Sequence, residues 1–452
     1  MPKFTVAIIG AGLGGLLFAI ALQKYAPDVD FEIYEAAAQL SEVGAGIGFQ
    51  PRTWYVMREL GLANVLLKVS GNGERPELTL IYRKADQQNA YTFSESPSDL
   101  ENYTFHRAEL HKVFLDHIND PGRIHLGKRF VSYTSPADPN GQITVHFKDG
   151  STIKCDLLVG ADGIKSGVRA CMYNHFADAA QAAGRSDEAE FLRSCVTATW
   201  SGTAAYRALV KRDFSDITNA HRSWKDHLTI YCGKNRHVVA YPIAKGRVLN
   251  IAAIIASPDL EGTTYEGPWV AKVPKEEVSQ LYTGWEPEVE EMIRVVGDSG
   301  WNKWAIHMVR KLPTFVDGRV ALLADAAHAM TPYQGAGAGQ GFEDALLLGQ
   351  VLGHPKVIRD TLPVALKVYD DVRRPVAQNV AALSQRSGQL QSFITPELSM
   401  VTPEKSSSGE APTKEQLEKL AEVMERLKDW RNGTTVEQDC KAALQRIEEQ
   451  LV

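Results

Sequence analysis

The sequence predicts an α/β protein: a Rossmann-like unit on a parallel sheet, a second unit built on a β-sheet, and helices at the C-terminus. Three observations carry that prediction. The chain opens with a β-branched apolar run, Phe4 to Ile9, that breaks at glycines and resumes as an Ala/Leu-rich helical stretch. Residues 201–310 are dominated by short strand-like segments. Beyond Thr402 the chain turns into charged, amphipathic helical sequence.

The 452 residues are enough for about three domains at ~150 residues each. Apolar residues at 44% and charged ones at 23% exclude wholesale disorder. Lys and Arg total 49 against 55 Asp and Glu, a net charge of -6 that weighs against a nucleic-acid partner. The five cysteines have no C-x-x-C spacing, so no disulfide framework and no metal site is expected. That pattern points to a reducing, cytoplasmic setting. No run of about 18 apolar residues suggests a membrane span. The apolar start, Phe4 to Leu22, is broken by Gly10, Gly12, Gly14 and Gly15, so no signal peptide is expected there.

In chain order, residues 4–9 read as a buried parallel strand, Leu13 to Tyr25 as a helix and residues 30–35 as a second strand. The glycine-studded segment Val43 to Gly48 reads as a ligand-facing loop. Trp54 to Leu60 and His106 to His117 read as helices, and residues 126–159 as strands. Residues 174–200 look like a helical insertion. Strands are expected at Leu228–Tyr231, His237–Tyr241, Val248–Ile255 and Arg319–Ala324. Thr402 to Thr413 reads as a linker, and Lys414–Trp430 and Val436–Glu449 as helices with solvated faces or a dimer contact. Trp304 is expected in the core.

The chemistry-bearing motif at the start is Gly10-x-Gly12-x-x-Gly15. It follows a strand, opens a helix, and is followed by Glu35 at the end of the second strand, about 20 residues beyond Gly15. Gly10 permits the tight turn, Gly12 lets backbone approach a pyrophosphate, and Gly15 lets helix and strand close up. The helix start offers free N–H groups and a positive dipole end. Glu35 can accept ribose hydroxyls. Two further acid/glycine junctions follow: Asp162-Gly163 after an apolar strand, and Asp325-Ala-Ala-His328 leading to Pro332 and the run Gly335-Ala336-Gly337-Ala-Gly339-Gln-Gly341. An Asp so placed can hydrogen-bond a ribityl hydroxyl, and backbone N–H groups can meet an isoalloxazine edge.

With these residues in order, the sequence resembles the class A FAD-dependent aromatic hydroxylases, the para-hydroxybenzoate-hydroxylase-like group, and within it the salicylate hydroxylase-like monooxygenases. The resemblance spans residues 4–385 and rests on the glycine motif with Glu35, Arg107 within His106-Arg107-Ala-Glu-Leu110, Asp162-Gly163 with Ser166-x-x-Arg169, and Asp325 to Pro332. One departure is visible: Ala324 stands where that group usually has glycine before the Asp. The resemblance implies non-covalent FAD as cofactor and NADH or NADPH as co-substrate. It implies a cofactor site made by Gly10, Gly12, Leu13, Gly14, Gly15, Glu35, Ala36, Gly48, Arg107, Asp162, Gly163, Asp325, Pro332, Gly335, Ala336 and Gly337. Residues 1–200 and 311–385 would form a discontinuous FAD-binding domain, with some strands around 80–105 joining the other sheet. Residues 201–310 would be the substrate domain and 386–452 a helical extension.

Arg207 and Tyr241, both in the second region, are the candidate substrate contacts. A phenolate or carboxylate in a dry pocket needs a cation, and Arg offers a bidentate fork. A tyrosine hydroxyl can orient a substrate hydroxyl. A salt-bridged sheet arginine and a core tyrosine are the plainer readings of the same two residues. His328 is expected to anchor backbone or pack rather than act as a base. The expected activity is NAD(P)H- and O₂-dependent hydroxylation of a small aromatic, best salicylate to catechol. No separate reductase, no membrane partner, and a monomer or homodimer are expected. Hydroxylation, dearomatisation or epoxidation of another phenol, a hydroxynicotinate or a polyketide stays open, as does a non-enzymatic flavin-binding module.

Overall fold

The computed structural model describes residues 2–40, 46–70, 79–97, 104–136, 138, 140–211, 227–243, 248–297 and 300–451. Its first sheet has six strands in the order Val316–Asp317, Val320–Leu322, Leu157–Gly160, Thr5–Ile9, Asp30–Tyr34 and Ile124–His125. All neighbours are parallel except the first, edge pair. The central strands are apolar throughout because helices cover both faces. The chain leaves Thr5–Ile9 in one direction to Asp30–Tyr34 and returns on the other side at Leu157–Gly160. That reversal is a topological switch point, where open α/β sheets bind ligands outside the carboxyl ends of their strands.

The helix Leu13–Tyr25 has the bounds its sequence suggests and buries almost its whole length. The insertion starts earlier than its composition suggests, as helices Gly167–Ala182 and Ser186–Ser194. The Asp162 carboxylate and Ser166 hydroxyl satisfy the free N–H groups of the first of these helices.

A second, eight-stranded sheet runs Val270–Val273, Trp301–Met308, Thr199–Lys211, Val248–Ala256, Arg236–Ile243, His227–Gly233, Thr79–Lys84 and Tyr91–Pro97. Side chains alternate between its faces. One face buries Tyr206, Tyr231, Val238, Ile251 and Trp301 beneath the helices Lys275–Leu281 and Pro287–Arg294. The opposite face packs Leu80, Tyr82 and Ile230 against Leu390, Phe393, Leu417, Leu420 and Met424. Trp301 is the fully buried tryptophan of its strand, whereas Trp304 is half-buried, contrary to the core position expected for it. The two are three residues apart on a strand, so they point to opposite faces.

The C-terminal region is integral to the fold. Thr402–Thr413 is not a free linker: it holds the short helix Pro403–Ser407, where Lys84 donates to the Ser406 carbonyl (2.8 Å) and the Ser406 hydroxyl to Asp86 (2.6 Å). The helix Lys414–Arg426 buries Leu417, Leu420, Ala421 and Met424. Val436–Gln450 buries Val436, Cys440, Ala443 and Ile447 in the core of the first sheet. Among the described residues no helix is long and apolar enough to cross a membrane.

Candidate active site

The glycine turn joins the strand Thr5–Ile9 to the helix Leu13–Tyr25. Gly10 sits at φ 108°, and a Cβ there would overlap the Ala161 carbonyl; one at Gly15 would overlap the carbonyl of Gly10. These two glycines make close packing possible. Gly12 differs, because a Cβ built on it meets nothing within 4 Å. It is the N-cap residue, with no side-chain cap and no acid in the first helical turn. An open cradle therefore lies over a helix start that no side chain caps, at the switch point. Leu13 and Gly14 belong to that first turn.

Glu35 follows the adjacent strand. Its two carboxylate oxygens accept the Ala11 N–H (2.9 Å) and the Ala37 N–H (2.8 Å), which fixes it beside the turn, with Ala36 next in the chain. Each oxygen keeps a further lone pair for a ribose hydroxyl.

Asp162 and Gly163 leave the third central strand. Asp162 Oδ2 accepts the N–H groups of Gly167 (2.7 Å) and Val168 (3.2 Å). Its Oδ1 is buried with no hydrogen-bond partner among the described residues, and burial pushes this carboxyl up from its ordinary range. Arg169 donates to Ile164 O (2.7 Å) and Ala326 O (2.9 Å), tying this loop to the turn that carries Asp325.

Asp325 is exposed and begins the short helix Asp325–His328 at the end of Val320–Leu322. Ala324 before it has φ 55° and ψ −135°, a conformation normally left to glycine. Its N–H donates to Asp344 Oδ2 (3.0 Å). Its methyl group fits because two neighbours lack one: a Cβ at Gly14 would lie 2.9 Å from Ala324 Cβ, and one at Gly341 2.6 Å away. His328 does anchor structure, with Nε2 2.5 Å from Asp344 Oδ2. Burial alone would raise the Asp344 pKa, but His328 and Arg373 override it and hold it at about 2. Pro332 and Gly335 are exposed, Gly335 at φ 62°, and Ala336 caps the helix Gly337–Gly353.

Gly46–Gly48 forms a strand paired with Thr104–His106, Gly48 opposite Thr104, and Arg107 opens the next helix. Arg107 therefore follows the partner of Gly46, at the end of the strand pair away from Gly48. Residues 43–45 of the glycine-studded segment lie outside the described residues.

Arg207 and Tyr241 lie on the second sheet. Arg207 pairs with Ala252, Ala252 with Val239, and Tyr241 with Asn250, so Arg207, Tyr241 and Asn250 share one face. Trp304 and His237 join that face through Ala205 and Ile254. Burial pushes the Tyr241 phenol up, and the Arg207 charge pulls it partly back, so the two side chains act on each other. Arg207 Nε is buried with no partner among the described residues. The face meets the first unit at two places. Ile243, two residues beyond Tyr241, lies against Gly46, and Thr203 accepts the Tyr333 hydroxyl at 3.2 Å. The cofactor candidates therefore cluster at adjacent strand ends, and the substrate candidates lie on the sheet face joined to them.

Two residues on this face escaped the sequence reading. Asn250 is 2% exposed, and its Oδ1 has no partner among the described residues; its signal was one amide in an otherwise apolar strand. His237 is fully buried, hydrogen-bonds Ser392 Oγ through Nδ1 (2.8 Å), and lies 5.5 Å from the Tyr333 ring. Burial lowers its pKa to about 3, so it stays neutral. Nothing in its local sequence marks it.

A glycine cradle at the switch point of a parallel sheet, with a second sheet joined to it, defines a dinucleotide-binding protein. The comparisons narrow this class. The FAD binding domain family matches residues 3–252 and 261–384, and the chain belongs to it. The FAD-dependent monooxygenase str9 of Strobilurus tenacellus is 33% identical, covering 100% of this chain and 99% of the relative. A salicylate hydroxylase of Pseudomonas putida is 32% identical, covering 87% of each. A solved salicylate hydroxylase substrate complex superposes with a TM-score of 0.80 at 28% identity, covering 98% of both chains. The chain is an FAD-dependent monooxygenase of the salicylate hydroxylase type. Its own residues fit that cofactor: Gly12 leaves the cradle open, the helix start carries no side-chain cap, and Asp162 Oδ1 is a buried acceptor without a donor among the described residues.

Proposed function

We propose that this enzyme hydroxylates a phenolic carboxylic acid, with salicylate as substrate and catechol and CO₂ as products. The observation that carries the reading is Arg207, whose buried Nε has no acceptor among the described residues, beside Tyr241 on the face joined to the glycine turns. The half-buried Arg207 guanidinium gains most from an anion that also reaches its buried nitrogen. Salicylate offers an anion and an ortho hydroxyl at the spacing of one ring edge. Tyr241, kept protonated by burial, donates to the substrate phenolate or accepts from the phenol. Holding the substrate oxygen as a phenolate pushes electrons into the ring at the carbon to be oxidised.

FAD, when bound and reduced by NAD(P)H, would activate O₂ so that one of its oxygen atoms can pass to the ring. Around it, the Gly12 cradle and the start of the helix Leu13–Tyr25 take the pyrophosphate, Glu35 the ribose, and Arg107 the phosphates or ribityl chain. Asp162 and Asp325 take polar groups of the chain, and Pro332 to Gly337 border the ring. In the overall reaction one oxygen atom enters the ring as the carboxylate leaves as CO₂. The other oxygen leaves as water, and the nicotinamide supplies two electrons. We take residues 1–200 and 311–385 as the FAD unit, apart from the strands Thr79–Lys84 and Tyr91–Pro97, which join the sheet of the substrate unit, 201–310. The whole works without a reductase, as a monomer or homodimer. Similarity to the Pseudomonas putida enzyme supports the choice of salicylate.

A second reading has its own support. Similarity to str9 extends over the full chain, C-terminal helices included, whereas similarity to that salicylate hydroxylase covers 87% of it. On this reading the substrate is a phenol other than salicylate. NAD(P)H consumption by the FAD-loaded protein, with organic product and peroxide followed together, decides. Salicylate-stimulated consumption with catechol supports the first reading. Stimulation with peroxide alone removes salicylate as substrate and turns the search to other phenols.

A further inference from the structure

The C-terminal helices lie outside the family match, which ends at residue 384, and the reading above gives them no task. They converge on one side chain. Gln334 lies between Pro332 and Gly335 in the turn assigned to the flavin ring, and it is 7% exposed. Its Oε1 accepts the Trp430 indole N–H at 2.7 Å. Its Nε2 donates to Leu427 O (3.1 Å), Ser387 Oγ (2.9 Å) and Leu383 O (3.4 Å). Its carbonyl accepts from Gln50 Nε2 (2.8 Å) and Arg431 (3.4 Å). Gln50 closely follows the Gly46–Gly48 strand, so one residue gathers the tail, the long helix Leu362–Gln391 and the glycine strand.

A second grip lies close by. Arg52 is paired with Glu343 (2.8 Å), on the helix that Gly337 opens, and with Asp439 of the last helix (3.1 Å). Arg52 also donates to Thr434 O and stands 5.9 Å from the Trp430 ring. The tail thus holds the turn at Gln334 and the helix behind it at Glu343.

We infer that Trp430 is a positioning residue for the flavin: through Gln334 it fixes the backbone of Pro332–Gly337, making the C-terminal extension part of the active site. This rests on the reading that the turn borders the flavin ring. Gly335 and Gly337 on either side of Ala336 give the turn little stiffness of its own, so its shape is imposed by the bonds to Gln334. Without the indole donor, Gln334 Oε1 would be buried and unpaired, and the turn would shift to solvate it.

The test is Trp430→Phe, which keeps an aromatic ring and removes the N–H. Amide exchange across residues 331–340 is measured on the FAD-free chain and on the holoenzyme. FAD affinity and the visible absorption and circular dichroism of bound flavin are measured alongside. The expected result is about 5-fold or more faster exchange at the turn in both forms, about 5-fold or more weaker FAD binding, and a changed flavin spectrum. In a Gln334→Leu background, Trp430→Phe adds little. Lys419→Ala, on the exposed face of the tail, changes none of these. Unchanged exchange and spectrum in Trp430→Phe overturn the inference, and Gln334→Leu supplies the same readouts if the tryptophan variant fails to fold. Faster exchange with an unchanged flavin spectrum would keep the clamp as structure but refute its role at the flavin. None of these readouts involves a phenol, so loss of the salicylate reading would leave the result standing.

Discussion

Ala324 offers a sharp check on the geometry of the cofactor site. Its φ of 55° and ψ of −135° place an alanine where glycine is at ease, a strain of about 1–3 kcal/mol. Ala324→Gly removes that strain, gives back about 0.5–1 kcal/mol through the freer unfolded chain, and loses a methyl group worth about 0.8 kcal/mol. The single substitution therefore lies between a loss of about 0.8 and a gain of about 1.7 kcal/mol of stability. Its partner Gly14 behaves differently. A Cβ there would lie 2.9 Å from Ala324 Cβ and 3.1 Å from Leu323 Cδ2. Gly14→Ala should cost about 1–3 kcal/mol through overpacking, partly offset by about 1 kcal/mol of helix propensity. In the Ala324→Gly background the closer clash is gone, and Gly14→Ala should be neutral or stabilising. The expected coupling is about 1–3 kcal/mol. Urea unfolding of wild type, both single variants and the double variant measures it, with FAD content recorded for each. Additivity within about 0.5 kcal/mol would show that the two methyl positions do not compete and would refute the placement of Ala324.

Further outcomes follow from the same site. Arg207→Ala should weaken binding of salicylate, read by flavin absorbance titration, by about 2–5 kcal/mol, since it leaves a desolvated anion unpaired; unchanged affinity would end the role given to Arg207. Gly12→Val should fold, because Gly12 sits at φ −72°, where any residue is at ease, but should purify without flavin; a fully yellow protein would contradict the cradle. His237 is held neutral, with a pKa of about 3 against 6.5 for the free side chain. The unfolded chain therefore binds the extra proton first, and stability falls as pH drops from about 6.5 toward 3. Between pH 7 and pH 5 the wild type should lose about 2 kcal/mol more than His237→Gln in denaturant unfolding. Equal losses would mean that His237 is accessible to protons in the folded enzyme.

The cofactor end of the molecule was legible because its signals are local. A β-branched run, a glycine turn and an acid at a strand end lie within 35 residues, and each glycine's task follows from its neighbours in the turn. Arg207 and Tyr241 could be named from strand segments, but their common face depends on the strand between them supplying the register through Asn250 and Ala252. Asn250 was passed over because an amide in an apolar strand gains meaning only when no partner reaches it. Trp301 and Trp304 could not be sorted, since alternation tells that they oppose each other and not which face the helices cover. The tail was misjudged for a similar reason. Its charges are conspicuous, whereas Leu417, Leu420 and Met424 find their partners on strands and helices far back in the chain, and Trp430 meets Gln334 almost 100 residues away.

The central claim is that Arg207 and Tyr241 hold salicylate for attack at the carbon bearing its carboxylate. Single turnover of carboxyl-labelled salicylate under ¹⁸O₂ with the FAD- and NAD(P)H-supplied enzyme tests it most directly. The account predicts labelled CO₂ and catechol carrying one ¹⁸O, in equal amounts and matching the NAD(P)H consumed. A dihydroxybenzoate that keeps its label, or peroxide in place of an oxygenated product, would contradict it.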